Sequence, residues 1–172
     1  MLEIHYYFTP ILDHLESFDK NDWHLYPIVN LATAKRFRDA AGLPRNVEHL
    51  NAVFDRLQKI SLDYLTINLY GRKYGRRFLL NLQDTLSADQ LLTYNNLIRQ
   101  QILQKIGLSI SDFKIFHEFS KSELKNVLQD FYENHFKQCP ASFVLTKTEA
   151  LQINACEHKL LQNYLIEIEK TA

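Results

Sequence analysis

The chain has 172 residues, of which 46% are hydrophobic, 12% aromatic and 23% charged. This is an ordinary globular composition, long enough to bury roughly two thirds of the unfolded surface, and it excludes both a disordered chain and a small disulfide-stapled scaffold. Twenty basic side chains balance twenty acidic ones, which excludes recognition of nucleic acid or an anionic membrane by bulk charge.

In chain order, residues 4–8 and 25–31 are predicted strands, and residues 33–41 a short helix closed by Gly42 and Pro44. Residues 46–60 place Val47, Leu50, Val53, Phe54 and Leu57 on one helical stripe. Residues 62–83 hold two apolar runs around the segment YGRKYGRR, which contains two of the four glycines. Leu65, Ile67 and Leu69 alternate with Thr66 and Asn68, and Phe78, Leu80 and Leu82 with Leu79 and Asn81, which predicts an antiparallel hairpin with arms 64–70 and 78–82. The rival is a continuous helix, which must absorb Gly71 and Gly75 at about 1 kcal/mol each relative to alanine.

Ser87 and Gln90 form a capping box for a helix through Leu91, Tyr94, Ile98 and Ile102 to a cap at Gly107. Residues 113–119 are a predicted strand, residues 120–136 a helix opened by Ser120 and Glu123, and residues 142–145 a strand. Residues 148–170 repeat Leu151, Ala155, His158, Leu161, Leu165 and Ile168 every three or four positions, which predicts a long helix, although its YLIEIE segment also alternates like a strand. The sum is an α+β fold, a single domain over residues 1–172 with a small, mainly antiparallel sheet covered by four or five helices, and an all-α fold as the alternative.

The N-terminus has no basic segment followed by an apolar one, and no window approaches the ~18 apolar residues of a membrane span. A soluble, cytoplasmic protein without membrane contact is expected. Cys139 and Cys156 show neither a C-x-x-C pattern nor a basic neighbourhood, so a thiol nucleophile is not expected. His5, His14, His24, His49, His117, His135 and His158 form no H-E-x-x-H or similar motif, and no glycine-rich nucleotide loop is present. No metal and no cofactor are expected.

Three features remain as site candidates. Arg72, Lys73, Arg76 and Arg77 cluster with Tyr70 and Tyr74 at the predicted hairpin tip, where guanidinium forks suit phosphate and rings suit base stacking, or where they simply solvate a turn. Trp23 and Tyr26, near His5 to Phe8 in composition, would make a rigid contact surface if exposed. His24 and His117 each fall in a predicted strand among apolar neighbours, and two strand histidines across one cleft would serve as general base and general acid on a phosphodiester. That arrangement resembles the 2H phosphoesterases, the LigT-like family, whose two His-x-Thr/Ser motifs lie on strands of an α+β fold. Here Tyr26 and Phe119 stand where that pattern has threonine or serine. The resemblance implies an RNA or cyclic-phosphate substrate.

The reading preferred on sequence is a non-enzymatic binding protein. It would contact a protein partner, a second copy of itself included, or nucleic acid through the aromatic patch and the basic tip. The phosphoesterase is the alternative.

Overall fold

The computed structural model describes residues 1–171. Strands β1 (Glu3–Phe8), β2 (Asp22–Pro27), β3 (Ala141–Leu145) and β4 (Ala150–Asn154) form one sheet in the order β2-β1-β3-β4. β1 pairs in parallel with β2, with His5 opposite His24, while β3 runs antiparallel to both β1 and β4. The parallel pair needs a crossover of a dozen or so residues, usually a helix. Here residues 9–21 make that crossing as turns and irregular loop, without a helix.

Between β2 and β3 the chain inserts five helices: α1 (Leu31–Ala40), α2 (Val47–Asn68), α3 (Arg72–Thr85), α4 (Asn96–Ile106) and α5 (His117–Glu133). Two short 3-10 turns, Ala88–Thr93 and Phe113–Phe116, lead into α4 and α5, and α6 (His158–Thr171) follows β4. This is the α+β class with a mainly antiparallel sheet, and it sets aside the all-α alternative. No described helix is long and apolar enough to cross a membrane.

Strand alternation divides the core. Ile4, Tyr6, Phe8, Trp23 and Leu25 face one side, where they pack with Leu57, Ile60, Tyr64 and Phe78 of the helical insert and Leu161 and Leu165 of α6. Tyr7 and Ala141 face the other, against Val127 and Phe131 of α5.

The predicted hairpin over residues 62–83 does not form. α2 continues to Asn68, Leu69 caps it, and α3 begins after Gly71, whose φ of 132° is open to glycine alone. Gly75 lies against α2 so closely that a Cβ there would meet Tyr64 Cε2 at 3.0 Å and Asn68 Oδ1 at 2.5 Å. The two glycines therefore belong to a corner between helices, and an apparent period of two in short apolar runs yielded to packing on both sides. Gly71→Ala forces a side chain into that backbone region and is expected to cost about 1–3 kcal/mol, read as a lower urea midpoint at unchanged slope.

Other boundaries move for similar reasons. The predicted strand at 113–119 is a 3-10 turn and the start of α5, with Asp112 Oδ1 accepting from the Lys114 amide. Ser120 is interior to α5, its hydroxyl buried against Thr66 Oγ1 at 2.8 Å, so it is not the helix cap. The long helix expected over 148–170 divides into β4 and α6. The Thr146 amide donates to the Glu149 carbonyl in the β3–β4 turn, and pairing along β3 outweighs the helical propensity of residues 150–154.

Candidate active site at the carboxyl end of β1

A parallel strand pair places its loops beyond the carboxyl ends of the strands, which is where α/β proteins bind ligands. There this structure has a cavity of about 170 Å³, lined by Tyr6 of β1, Leu12, Asp13, His14 and Glu16 of the crossover loop, Pro140 at the head of β3, and Glu157 and Lys159 beside the start of α6. The Cys139–Pro140 peptide bond is cis.

One ion pair holds this corner together. Asp13 Oδ2 accepts from Arg36 Nη2 at 2.7 Å and from the Thr9 amide at 2.7 Å. Arg36 also donates to Thr9 Oγ1 at 2.9 Å and to the Cys139 carbonyl. The guanidinium fork thus ties α1 to the end of β1, to the loop and to the residue before Pro140. Burial raises the Asp13 carboxyl above its usual range, and the charge of Arg36 opposes that rise.

Neither thiol is activated. Cys139 is 5% exposed, and burial, helped by the Asp13 charge, pushes its thiol up to about 12. At pH 7 its thiolate is on the order of one molecule in 100,000. Cys156, half-buried, is raised by burial and then by Glu157. Tyr6 is fully buried, and burial first, with the nearby Asp13 charge, keeps its phenol protonated well above the ordinary range. Among the described residues its hydroxyl has no hydrogen-bond partner.

His158 shuts the inner side of the corner. It is fully buried, packs on Trp23 with centroids 4.5 Å apart, and accepts at Nδ1 from the Glu16 amide at 2.9 Å. Burial lowers its pKa from 6.5 to about 4. Because the folded pKa is depressed, the unfolded chain binds the proton first as pH falls, so the neutral imidazole contributes stability above 6.5 that is lost toward 4. The loss between those limits is on the order of 3 kcal/mol. Denaturant unfolding measured from pH 7 to pH 4 should show it, and His158→Gln should flatten the curve.

The residues singled out from sequence lie elsewhere. Arg72 Nη1 donates to Asp22 Oδ1 at 2.6 Å, Arg76 Nη2 to the Trp23 carbonyl at 2.7 Å and Arg77 Nη1 to the Ile106 carbonyl at 3.2 Å. They clamp α3 onto β2 and α4 instead of projecting from a hairpin tip. Lys73 is exposed, Tyr74 packs partly buried against the core, and Tyr70 sits edge-on to Phe116. Trp23 is fully buried, not a surface aromatic, and its indole N–H donates to Asp19 Oδ1 at 2.8 Å. Tyr26 lies half-buried in a stack with His5 and His24 on the opposite face of the sheet, His5 and His24 being 4.9 Å apart. His24 borders a cavity beside Arg72 and Arg76, whereas His117 borders a different one between α2, α4 and α5, so they share no cleft. Among the described residues no cluster of histidine, cysteine or acid is disposed to hold a metal ion.

A parallel β1–β2 pair followed by an antiparallel β3–β4 pair and a terminal helix is the arrangement of a thioredoxin fold, here carrying a helical insert. The chain belongs to a thioredoxin family, whose model matches residues 7–160. Similar solved structures include a candidate protein disulfide isomerase from Nitrosomonas europaea, at 12% identity and a TM-score of 0.62 over 99% of this chain and 98% of that one. Another is the cytosolic disulfide reductase DsbM from Pseudomonas aeruginosa, at 10% identity and a TM-score of 0.58 over 99% and 100%. No curated protein matches.

These findings overturn the functional reading from sequence. Membership of a thioredoxin family, with solved neighbours described as a disulfide isomerase and a disulfide reductase, contradicts the binding-protein and phosphoesterase readings. Sequence reasoning missed Tyr6, Asp13, Arg36 and Pro140 as a group. The signal available was a proline opening an apolar strand directly after a cysteine.

Proposed function

We propose that this protein takes part in thiol–disulfide exchange with the reactive sulfur supplied by a bound peptide thiol, glutathione being its simplest representative. One observation carries the reading: the cavity at the carboxyl end of β1 is present on a thioredoxin fold, while both cysteines are held protonated. Dithiol chemistry on such a fold uses a C-x-x-C thiol of lowered pKa. Here the loop at residues 9–21 contains neither cysteine nor helix.

The lining suits a zwitterionic peptide. Lys159 stands opposite in charge to Glu16 and Glu157, and His14 places at the rim an imidazole, a side-chain type that serves as general base. The bound thiolate attacks a disulfide sulfur, a mixed disulfide forms and the other sulfur leaves as thiolate.

The test combines binding with turnover. Reduced glutathione should shift amide resonances of residues 12–16 and 157–159, and glutathione-dependent reduction of hydroxyethyl disulfide should fall about 100-fold in His14→Ala. Reduction by the pre-reduced protein without glutathione, lost in Cys139→Ser, would instead make the protein's own thiol the nucleophile. Absence of both glutathione binding and turnover would end the reading.

A further inference from the structure

Away from the end of β1, the helical insert forms a broad cavity open to solvent, of about 510 Å³, between α2, α4, the Phe113–Phe116 turn and the start of α5. Its inner wall is built from buried charge. Asp63 accepts from Arg99 Nη1 at 2.9 Å, from Tyr94 Oη at 2.8 Å and from Lys59 Nζ at 3.2 Å. Asp63 and Arg99 are 6% and 9% exposed, so these contacts lie largely out of water.

One carboxylate faces two cations, which leaves the wall a unit of positive charge in excess. Lys114, Lys121 and His117 line the outer part, against Asp55 and Asp112, and Lys121 also meets the exposed Glu118 at 3.3 Å. Arg99 is fixed in orientation, its guanidinium lying 3.7 Å from the Phe113 ring centroid. Among the described residues its Nε is sealed without a hydrogen-bond partner, and Nη2, neither sealed nor paired, is the donor left open to the cavity. A guanidinium is a rigid fork of five donors that matches carboxylate and phosphate oxygens.

Size separates a bare ion from a molecule. A water occupies about 30 Å³ of liquid, so this cavity holds far more than a hydrated ion needs, and it falls within the roughly 300–1,000 Å³ range of small-molecule sites. Leu62, Ile110 and Phe113 give it apolar wall beside the charged groups.

We propose that this cavity binds a small organic anion, whose carboxylate or phosphate group is received by Arg99 and Lys59 and whose body lies against Phe113 and Leu62. The site is separate from the thiol cavity and independent of the proposed function. Ligand bound here braces α2, α4 and α5 together, because each contributes to the wall.

The experiment uses the full chain labelled with nitrogen-15 and follows the Arg99 Nε–H cross-peak during titration with citrate for the carboxylate class and glycerol 3-phosphate for the phosphate class. Sodium chloride at matched ionic strength is the control. At least one of the two should move that cross-peak saturably, and the one that does so names the headgroup. Lys114 is exposed at the mouth, so Lys114→Glu should fold normally and weaken binding by at least tenfold, and Arg99→Lys, which keeps the charge and loses the fork, should weaken it as well. A cross-peak that responds to neither probe beyond the chloride control overturns the proposal, as does unchanged affinity in a folded Lys114→Glu variant.

Discussion

Trp23→Ala is expected to lower the unfolding free energy by about 3–5 kcal/mol. The indole is fully buried near the start of β2, edge-on to Tyr6 at 6.2 Å and Phe18 at 5.9 Å, and stacked obliquely on His158 at 4.5 Å. Truncation opens a cavity that three rings border, and rings fixed by surrounding packing, with His158 also held by the Glu16 amide, cannot fully collapse into it. It also strips Asp19 of the indole donor, although Asp19 keeps the Asn21 amide at 2.8 Å. Trp23→Phe refills most of the volume and should cost less, about 1–3 kcal/mol, because the remaining loss is one hydrogen bond and part of a ring. Urea unfolding followed by circular dichroism measures both, since the variants lose the single tryptophan. A cost below about 1 kcal/mol for the alanine variant would mean that the indole lies on the surface and that the packing around His158 is not as described.

Asp63→Ala should destabilise by a similar amount, about 3–5 kcal/mol, because removing one member of a buried ion pair leaves the other charge uncompensated. Arg99 and Asp63 are nearly sealed, with side chains 11% and 8% exposed, and among the described residues the Arg99 side chain has no other partner apart from its ring contact with Phe113. Tyr94, fully buried, loses its acceptor at the same time. The phenol cannot relieve this by ionising, since burial and the Asp63 charge hold its pKa well above the ordinary value. Asp63→Asn keeps an acceptor for one donor and should fall between alanine and the parent protein. The double variant Asp63→Ala, Arg99→Met removes both charges and should recover part of the loss, which a double-mutant cycle would report as a favourable coupling between the two sites. Additive effects would show that the pair is solvated and that the inner wall of the insert cavity is not built on it.

Much of the helical content was legible because its signals are local. Asn46 accepts from the His49 amide at the start of α2, Gly107 closes α4 in the left-handed region, and Ser87 and Gln90 make the reciprocal box that their spacing predicted. Even there the box opens a 3-10 turn, and α4 starts afresh at Asn95, whose side chain accepts from the Ile98 amide. The helix pair at residues 62–83 was misread because Leu65, Ile67 and Leu69 satisfy period two and Tyr64, Leu65, Thr66 and Ile67 are all buried. A helix enclosed on several sides loses the polar stripe that identifies it. The strand β4 was hidden in a helix-forming composition for the opposite reason: half-exposed, it exists by pairing with β3.

The candidate site was illegible for a physical reason. Tyr6, Asp13, Arg36, Cys139, Pro140 and His158 come from the first strand, its loop, the first helix, the head of the third strand and the last helix, and apart from the adjacent Cys139 and Pro140 they are too far apart in sequence to form a motif. Arg36 meets Asp13 across 23 positions and the Cys139 carbonyl across 103.

What the sequence determined by itself was the composition of a buried core, the absence of a C-x-x-C pair, and helix ends written in capping residues, all of which depend on residues near one another in the chain. The sheet order, the meeting of β1 with β3, the burial that holds both thiols protonated and the pairing of Asp13 with Arg36 were decided only by the tertiary structure. Hydrogen-bonded strand pairing and desolvation act through space, and their strength depends on neighbours that the linear order does not name.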